Sequence, residues 1–202
     1  MGYTHYWRRP RYIDGLAYGR IVDDYRRLLP ALEEAGVRLG DGVGEGEPII
    51  TDDEVVFNGL RNCGHPSGTR LSIPWPSPDA GGVLSGQGAV GTWDAGTLVD
   101  TRTCDGDCSY ESFSFPRVMR LHGWEEPDEQ GRFFACCKTA FRPYDLAVTA
   151  FLVIAKHHLG DQIRVTSDGG PQQWFDAKLL CSMVLGYGLD VRLDFEASRR
   201  PA

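Results

Sequence analysis

Apolar residues recur at helical spacing in three stretches of the chain. The first stretch, residues 14–35, has its apolar positions three or four residues apart, as one buried helix face requires. We expect Asp14 to cap the start of this helix, Pro30 to kink it and Gly36 to end it. The buried face consists of Ile21, Val22, Tyr25, Leu28, Leu29 and Leu32.

Two further helices are predicted towards the end of the chain. Pro143 suits the first position of a helix that runs to about Leu159, because proline lacks the N–H group that a first turn leaves unpaired. Gly160 suits the position just past the end of this helix. The last helix is predicted from Pro171 to Leu185, and its core candidates are Trp174, Leu180 and Val184.

Strands are predicted where polar and apolar residues alternate. Together with the helices they predict a single α+β domain over residues 1–195, with one mixed β-sheet packed by two or three helices. A βαβ unit over residues 132–168 would make part of that sheet parallel. The predicted strands are residues 2–7, two short strands within 37–60, and residues 110–121, 132–140, 162–167 (Ile163 and Val165 inward) and 189–195 (Leu189, Val191 and Leu193 inward).

Residues 61–108 differ in composition from the rest of the domain. Gly, Pro, Ser and Asp are frequent there, and the run "IPWPSPDAGGVLSGQGAVG" supports no long element. Such a long loop is uncommon inside a compact domain, so we interpret it as a Gly/Pro-rich insertion within the fold. Residues 196–202 are interpreted as a C-terminal tail.

Composition narrows the class of protein. A net charge of −7 argues against general nucleic-acid binding, which needs a basic surface. No run of residues is long and apolar enough to span a bilayer, and the opening residues "MGYTHYWRRP" lack the apolar core of a secretory signal. Six cysteines in 202 residues are too few for a disulfide framework. We therefore expect a cytoplasmic protein.

The helix predicted over residues 143–159 carries a polar stripe on an otherwise apolar surface. Arg142, Asp145, Thr149 and Lys156 project to one side of it. The stripe either pairs within itself on an exposed seam or faces a ligand. In the second interpretation a cationic pocket binds a phosphate or carboxylate, because arginine binds such groups with a planar fork and lysine adds a point charge. The pocket would be lined by Lys138, Thr139, Arg142 and Lys156.

Other polar and aromatic residues are candidates for the same ligand. The first strand is rich in aromatic side chains, which either stack on a base or simply pack the sheet. Asn58 and Glu111, at strand ends, either bind a sugar or base edge or close a turn. Ser167 and Asp168 precede a helix, where they either border an anion site or cap the helix. The aromatic candidates are Tyr3, His5, Tyr6 and Trp7.

His157 and His158 occupy the end of a predicted helix. The helix dipole favours their protonated forms there. They are either capping residues, or one of them is a hydrogen-bond donor to phosphate or a general acid or base. Adjacent helical residues point in different directions, and for that reason the two histidines are not a chelating pair.

A second group of residues has metal-ligand chemistry. Cys63 and His65 in "NCGHP", with Cys104 and Cys108 in "CDGDC", supply four donors from two loop segments, and a structural zinc would hold so Gly-rich a segment in shape. The spacings differ from the usual C-x2-C pairs. Free thiols are the alternative that we favour from the sequence, and no cofactor is expected.

Several motifs resemble, in order, those of a group of small uncharacterised proteins common in bacteriophages and prophages. They are "MGYTHYW", "FNG", "YESFSF", "CKTAFRPYD", "AKHHLGD" and "SDG". The group often has His-Glu-Thr-Phe where this chain has Tyr110, Glu111, Ser112 and Phe113, so a role for that His or Thr does not carry over. The resemblance implies a phage context and carries no established activity.

These observations predict a phage-encoded binding protein for a phosphorylated small molecule, expected to be a nucleotide, that sequesters a host defence signal. One alternative is a nucleotide-directed hydrolase or transferase that uses His157, His158 or Glu111 as general acid or base. Another is an interaction module whose insertion meets a host protein. Homo-oligomerisation is left open.

Overall fold

A computed structural model describes residues 3–71, 93–94, 97–98, 102–121, 123 and 125–194. The described residues form three α-helices and several short antiparallel sheets. The helices are α1 (Gly15–Glu34), α2 (Asp145–Leu159) and α3 (Pro171–Leu185), and a 3-10 turn follows α2 at Gly160–Gln162. The strands are β1 (Thr4–Pro10), β2 (Leu39–Gly40), β3 (Ile49–Ile50), β4 (Glu54–Gly59), β5 (Thr69–Arg70), β6 (Trp93–Asp94), β7 (Thr97–Leu98), β8 (Thr103–Cys104), β9 (Phe113–Pro116), β10 (Arg132–Lys138) and β11 (Arg164–Ser167).

The α+β class is confirmed, but the strands are arranged differently from one mixed sheet. One sheet has the order β10-β1-β11, and a second has the order β2-β4-β3 with β9 also paired to β4. All the described strand pairs are antiparallel. β10 and β11 run in the same direction, as the predicted βαβ unit requires, but β1 lies between them and pairs with both.

The helix boundaries follow from local signals at their ends. The Asp14 carboxylate accepts hydrogen bonds from the N–H groups of Leu16 (3.0 Å) and Ala17 (3.1 Å), which caps α1. α1 continues through Pro30, and Gly36 lies just past its end. α3 has the predicted boundaries. α2 begins at Asp145, later than predicted, because Thr139 to Tyr144 form turns before the helix starts.

The core is built around α2 and a group of aromatic rings. Residues 145–155 of α2 are all buried, and α2 packs against both α1 and α3. The Phe151 ring contacts one ring from α1 and two from β9. Its centroid lies 5.0 Å from those of Tyr25 and Phe115 and 5.1 Å from that of Phe113. β4 adds Phe57, whose ring lies 4.8 Å from that of Phe113. These contacts join the second sheet to the helices.

The end of the described chain differs from its predicted strand. Residues 189–193 form no strand, and Leu189 is 48% exposed, although Val191 and Leu193 are buried as predicted. The alternating apolar residues here therefore belong to an irregular segment, of which Val191 and Leu193 pack into the core. The predicted tail lies outside the described residues. No described helix has both the length and the apolar character needed to cross a bilayer.

Candidate metal centre and the buried charge network

Four potential metal ligands from the two ends of residues 61–108, here called the loop-rich segment, converge on one another. One ligand atom from each of Cys63, His65, Cys104 and Cys108 lies within 4.8 Å of the others. The Sγ atoms of Cys63 and Cys104 are 3.5 Å apart, and those of Cys104 and Cys108 are 3.3 Å apart. His65 Nδ1 lies 3.3 Å from Cys108 Sγ. The described residues therefore contain a cluster with the composition of a Cys3His metal site.

Short turns place the paired ligands. Gly64 separates Cys63 from His65 at a φ of 76°, and Gly106 lies between Cys104 and Cys108 at a φ of 92°. Residues with a side chain rarely adopt this left-handed backbone conformation. Glycine therefore allows the chain to turn sharply between the two ligands of each pair. The Gly106 N–H also donates to Cys104 Sγ at 3.3 Å, a contact that stabilises a thiolate.

Backbone contacts hold the two ligand segments on each other and on the second sheet. β8, which ends at Cys104, pairs with β5, and the Gly68 N–H donates to the Cys104 carbonyl at 2.7 Å. The Cys108 N–H donates to the Leu60 carbonyl at 3.3 Å. Gly59, at the end of β4, packs so closely on the Cys108 carbonyl that a Cβ atom there would collide with it. The ligand geometry is thus fixed by the surrounding backbone.

The spacing of the ligand atoms fits a tetrahedral ion better than covalent sulfur bonds. A disulfide would place two sulfurs about 2.0 Å apart, well below the observed separations. Two sulfurs that each lie about 2.3 Å from one tetrahedral zinc are about 3.8 Å apart. The observed Sγ–Sγ distances of 3.5 and 3.3 Å are close to that value. Small outward movements of the thiols would accommodate the ion.

The electrostatics of the cluster also suit a cation. Burial alone would raise the pKa of Cys63, but hydrogen bonds from the His65 backbone N–H and from the Cys108 and Cys104 thiols lower it overall. Burial raises the pKa of Cys104 and of Cys108, where closely spaced sulfurs add repulsion between thiolates. Burial and the Arg38 charge lower the pKa of His65, which keeps its imidazole neutral and able to coordinate. A divalent cation would relieve the repulsion between the sulfurs.

A network of buried charges is centred on Asp145. It adjoins the metal cluster along the chain, because Arg102, which contacts Asp145, precedes Cys104 by two residues. The Asp145 carboxylate is fully buried and accepts hydrogen bonds from His5 Nε2 (2.6 Å), Arg102 Nε (2.8 Å) and the Thr139 hydroxyl. Burial would raise the pKa of Asp145, but the charges of His5 and Arg102 lower it to about 2. Asp145 is therefore an ionised carboxylate inside the core.

Arg102 connects Asp145 to α3. One of its terminal nitrogens lies 3.1 Å from Asp176 Oδ2, and the other donates to the Gln173 carbonyl at 3.2 Å. Its side chain is only 5% exposed, and its buried charge is balanced by the carboxylates of Asp145 and Asp176. We call His5, Arg102, Thr139, Asp145 and Asp176 the buried charge network.

Ser167, His5 and Asp145 have the hydrogen-bonding order of a hydrolase triad. His5 Nδ1 lies 3.1 Å from Ser167 Oγ, and His5 Nε2 faces Asp145. The N–H groups that follow Ser167 are already used, by the Thr4 carbonyl, by Ser167 Oγ itself and by the Gln173 side chain. These N–H groups therefore form no oxyanion hole. The hydrogen bonds of these three side chains connect β1, β11 and α2.

The structure separates Lys156 from the other residues of the predicted cationic pocket. Lys156 lies near the far end of α2, about 16 Å along the helix axis from Asp145, and its ammonium contacts Asp194 at 3.1 Å and the Ile163 carbonyl at 2.9 Å. Arg142 pairs with Asp105 at 2.9 Å. The Lys138 ammonium lies over the Tyr110 ring, 5.5 Å from its centroid. A shared side of the helix wheel did not bring Arg142 and Lys156 together, because the wheel ignores distance along the helix axis.

The remaining candidates are divided between separate places. Tyr3, just before β1, and His5 and Trp7 in β1 are buried in the core. The half-buried Tyr6 points outward and donates to Asp168 at 3.0 Å. Asn58 uses both ends of its amide on the backbone of Gly42, Gly59 and Tyr110, which makes it a structural residue.

The three candidate acid–base residues are also apart. His158 lies 2.8 Å from the Asp24 carboxylate, and the His157 ring stacks on Tyr187 with centroids 3.5 Å apart. Glu111 instead accepts the Lys138 backbone N–H at 2.7 Å, near the opposite end of α2. The structure therefore does not combine Glu111 with either histidine in one site.

Arg102, Gln173 and Asp176 are the polar residues of this region that the sequence did not indicate. Arg102 stands in the Gly/Pro-rich insertion, and its partners lie 43 and 74 positions further along the chain. No local pattern marks such a residue. The comparisons with protein-family models, curated protein sequences and solved structures give no significant match to this chain.

Proposed function

We propose that this protein is a zinc-binding protein in which a structural Zn2+ ion fixes the loop-rich segment to the core. The observation that carries the proposal is the convergence of four donor atoms from Cys63, His65, Cys104 and Cys108 within 4.8 Å. Three sulfurs and one imidazole form a donor set typical of structural zinc sites, and hard cations such as Mg2+ and Ca2+ prefer oxygen.

A structural role is favoured over a catalytic one by the ligand count. Catalytic zinc usually has three protein ligands and keeps one position for water or substrate, whereas the present cluster offers four side chains. Cys104 and Cys108 are also fully buried, which limits the access of a substrate. The ion would therefore supply stability by joining residues 63–65 to residues 104–108.

The position of Arg102 gives this stability a specific role. Arg102 precedes Cys104 by two residues, and it provides a counter-charge to the buried Asp145. A metal that holds Cys104 would also hold Arg102 in the core. The zinc would thus stabilise the packing between β1, α2 and α3 as well as the loops.

Metal analysis of matched cysteine variants tests the proposal. Purified protein should contain one zinc per chain, and Co2+ should replace it with the absorption of a tetrahedral thiolate site. Cys108→Ser should lose the metal, because it removes one ligand. Cys136→Ser is the control, since Cys136 is an exposed cysteine on β10 outside the cluster. Metal-free wild-type protein with unchanged stability on zinc addition would refute the proposal, as would equal zinc content in both variants.

The phage context, the cytoplasmic location and the capture of a host defence signal stay predictions. The phosphorylated ligand also stays a prediction, since Arg142 pairs with Asp105 and Lys156 pairs with Asp194. Support for such a ligand instead comes from a different surface of the molecule.

A further inference from the structure

The outer face of the β10-β1-β11 sheet carries two arginines and two aromatic rings. Residues at odd positions of β1 point into the core, and those at even positions point outward. On the outer side, Arg8 of the central strand lies between Phe134 of β10 and Arg164 of β11. Tyr6 and Thr166 form the next row. Together with Trp7, these five residues line a surface depression of about 240 Å³.

The two arginines, Arg8 and Arg164, are cross-strand neighbours. Arg8 and Arg164 are paired in the register of β1 and β11, and like charges in that relation are destabilising. Neither residue forms an ion pair within the part of the chain that the structure describes. Asp168, at the other end of β11, accepts hydrogen bonds from the Tyr6 hydroxyl and the Thr4 N–H, each at 3.0 Å. The positive pair is therefore suited to an external anion.

The aromatic rings provide a second type of contact beside this charge. The Tyr6 and Phe134 rings lie nearly parallel, 28° apart with centroids separated by 6.1 Å, and Phe134 is 47% exposed. The Arg8 guanidinium lies 5.4 Å from the centroid of the Phe134 ring. An exposed aromatic ring on an antiparallel sheet, next to arginine, can stack on a planar heterocycle.

We infer that this face binds a nucleoside monophosphate, with its base on Phe134 and Tyr6 and its phosphate between Arg8 and Arg164. Arginine can donate two parallel hydrogen bonds to the phosphate oxygens. The two rings would stack on the base, so a nucleotide should bind better than phosphate alone. The depression is smaller than the usual range for drug-sized ligands, which fits one nucleotide better than a dinucleotide. The net charge of −7 favours a small anion over a long nucleic acid, which the rest of the surface would repel. This site is separate from the proposed zinc site.

Calorimetric titration of the metal-loaded protein tests the inference. The probes are AMP, GMP, CMP and UMP, with adenosine and inorganic phosphate as partial ligands. At least one nucleotide should bind more tightly than adenosine and more tightly than phosphate, because only the nucleotide contacts both the rings and the arginines. The affinity should fall as salt is added, since the phosphate contact is ionic.

Two variants and a matched control locate the binding. Arg164→Gln should weaken nucleotide binding at least tenfold, and Phe134→Leu should weaken it while leaving the affinity for inorganic phosphate unchanged. Arg20→Gln removes the same charge from an exposed position on α1 and should leave the affinity unchanged. Zinc content and circular dichroism should be the same in all three variants.

The inference is overturned if no nucleotide binds, or if Arg164→Gln and Arg20→Gln bind nucleotides equally well. It is also overturned if single-stranded oligonucleotides bind and mononucleotides do not, since the surface would then recognise a nucleic acid. Loss of the metal in Cys108→Ser does not bear on this test. For that reason a failure of the zinc proposal and a failure of the nucleotide proposal can be told apart.

Discussion

Arg102 Nε donates to Asp145 Oδ2 at 2.8 Å, so that a residue of the loop-rich segment neutralises a fully buried carboxylate of α2. The contact connects the two features that define this molecule. Arg102 is fixed through Cys104 to the candidate metal centre, and Asp145 is fixed through His5 to the central strand of the first sheet.

Replacing Arg102 with methionine should therefore destabilise the protein strongly. Removal of one partner from a buried ion pair costs about 3–5 kcal/mol, because it leaves the other charge in the core without compensation. Arg142→Ala is the control, because Arg142 pairs with the exposed Asp105 and such surface pairs contribute roughly 0–1 kcal/mol. Urea unfolding of both metal-loaded variants measures the difference. A cost below about 1 kcal/mol for Arg102→Met would contradict a buried pair.

Removal of the metal should expose the ligand-bearing loops to protease. Arg61 and Arg70 lie on either side of Cys63 and His65, in backbone that is hydrogen-bonded to Gly44 and to β8. A chelator should speed tryptic cleavage at both arginines, because the loops then separate more often. Cleavage at Arg27 of α1 serves as the internal control. Mass spectrometry of the early fragments reads the result, and identical patterns with and without chelator would argue against a metal role in these loops.

The close approach of Gly59 to the metal cluster predicts a specific glycine effect. In Gly59→Ala the new methyl group would collide with the Cys108 carbonyl, which would displace a ligand. We expect a loss of roughly 1–3 kcal/mol in unfolding free energy and weaker zinc retention against a chelator. Gly19→Ala is the matched change, because its methyl group meets nothing within 4 Å in α1, and it should stabilise by about 0.5–1 kcal/mol. Equal effects at the two sites would be inconsistent with this packing.

His157 should make stability fall as the solution becomes acidic. Burial against Tyr187 and the neighbouring charge of His158 lower the pKa of His157 in the fold, although Asp190 and Asp24 act in the opposite direction. The unfolded chain, with a histidine pKa of about 6.5, then binds the proton more readily than the folded chain. The contribution of the neutral His157 to folding stability is fully present above the unfolded pKa. It is lost as pH falls from that value through the lower pKa of the folded chain.

The variant His157→Gln isolates this imidazole from the other groups that titrate. Between about pH 7 and pH 5.5, unfolding free energy should decline less in His157→Gln than in wild type. Parallel urea titrations at several pH values provide the comparison. The same slope in both proteins would mean that His157 titrates alike in the folded and unfolded chains.

Elements with local signals were predictable from the sequence. α3 has the predicted boundaries because Pro171 starts it and Gly186 ends it in a left-handed conformation. α1 was marked by Asp14 and by its apolar face. The cluster residues were also identified as potential zinc ligands, although free thiols were favoured. Spacing alone could not show that residues about 40 positions apart meet.

Features that depend on long-range pairing were beyond a local pattern. The polar stripe on α2 is evident from the sequence. The partner of Asp145, however, is Arg102, which lies in a segment without helical or strand periodicity. Lys156 shares a side of the helix with Asp145 and is nevertheless held at the other end of α2. The local pattern of β1 indicates only that its side chains are rich in aromatic rings. The importance of Arg8 became visible when the register placed it opposite Arg164.

The placement of β1 between β10 and β11 has a consequence for biosynthesis. Its partners begin at Arg132 and Arg164, so the ribosome makes more than a hundred residues before either edge of β1 can be satisfied. Closing so long a loop is entropically costly, and folds dominated by distant pairings assemble slowly. Until then the nascent strand presents apolar and aromatic side chains that invite chaperone binding. We expect completion of this sheet to be the slow, late event that limits the yield of native protein.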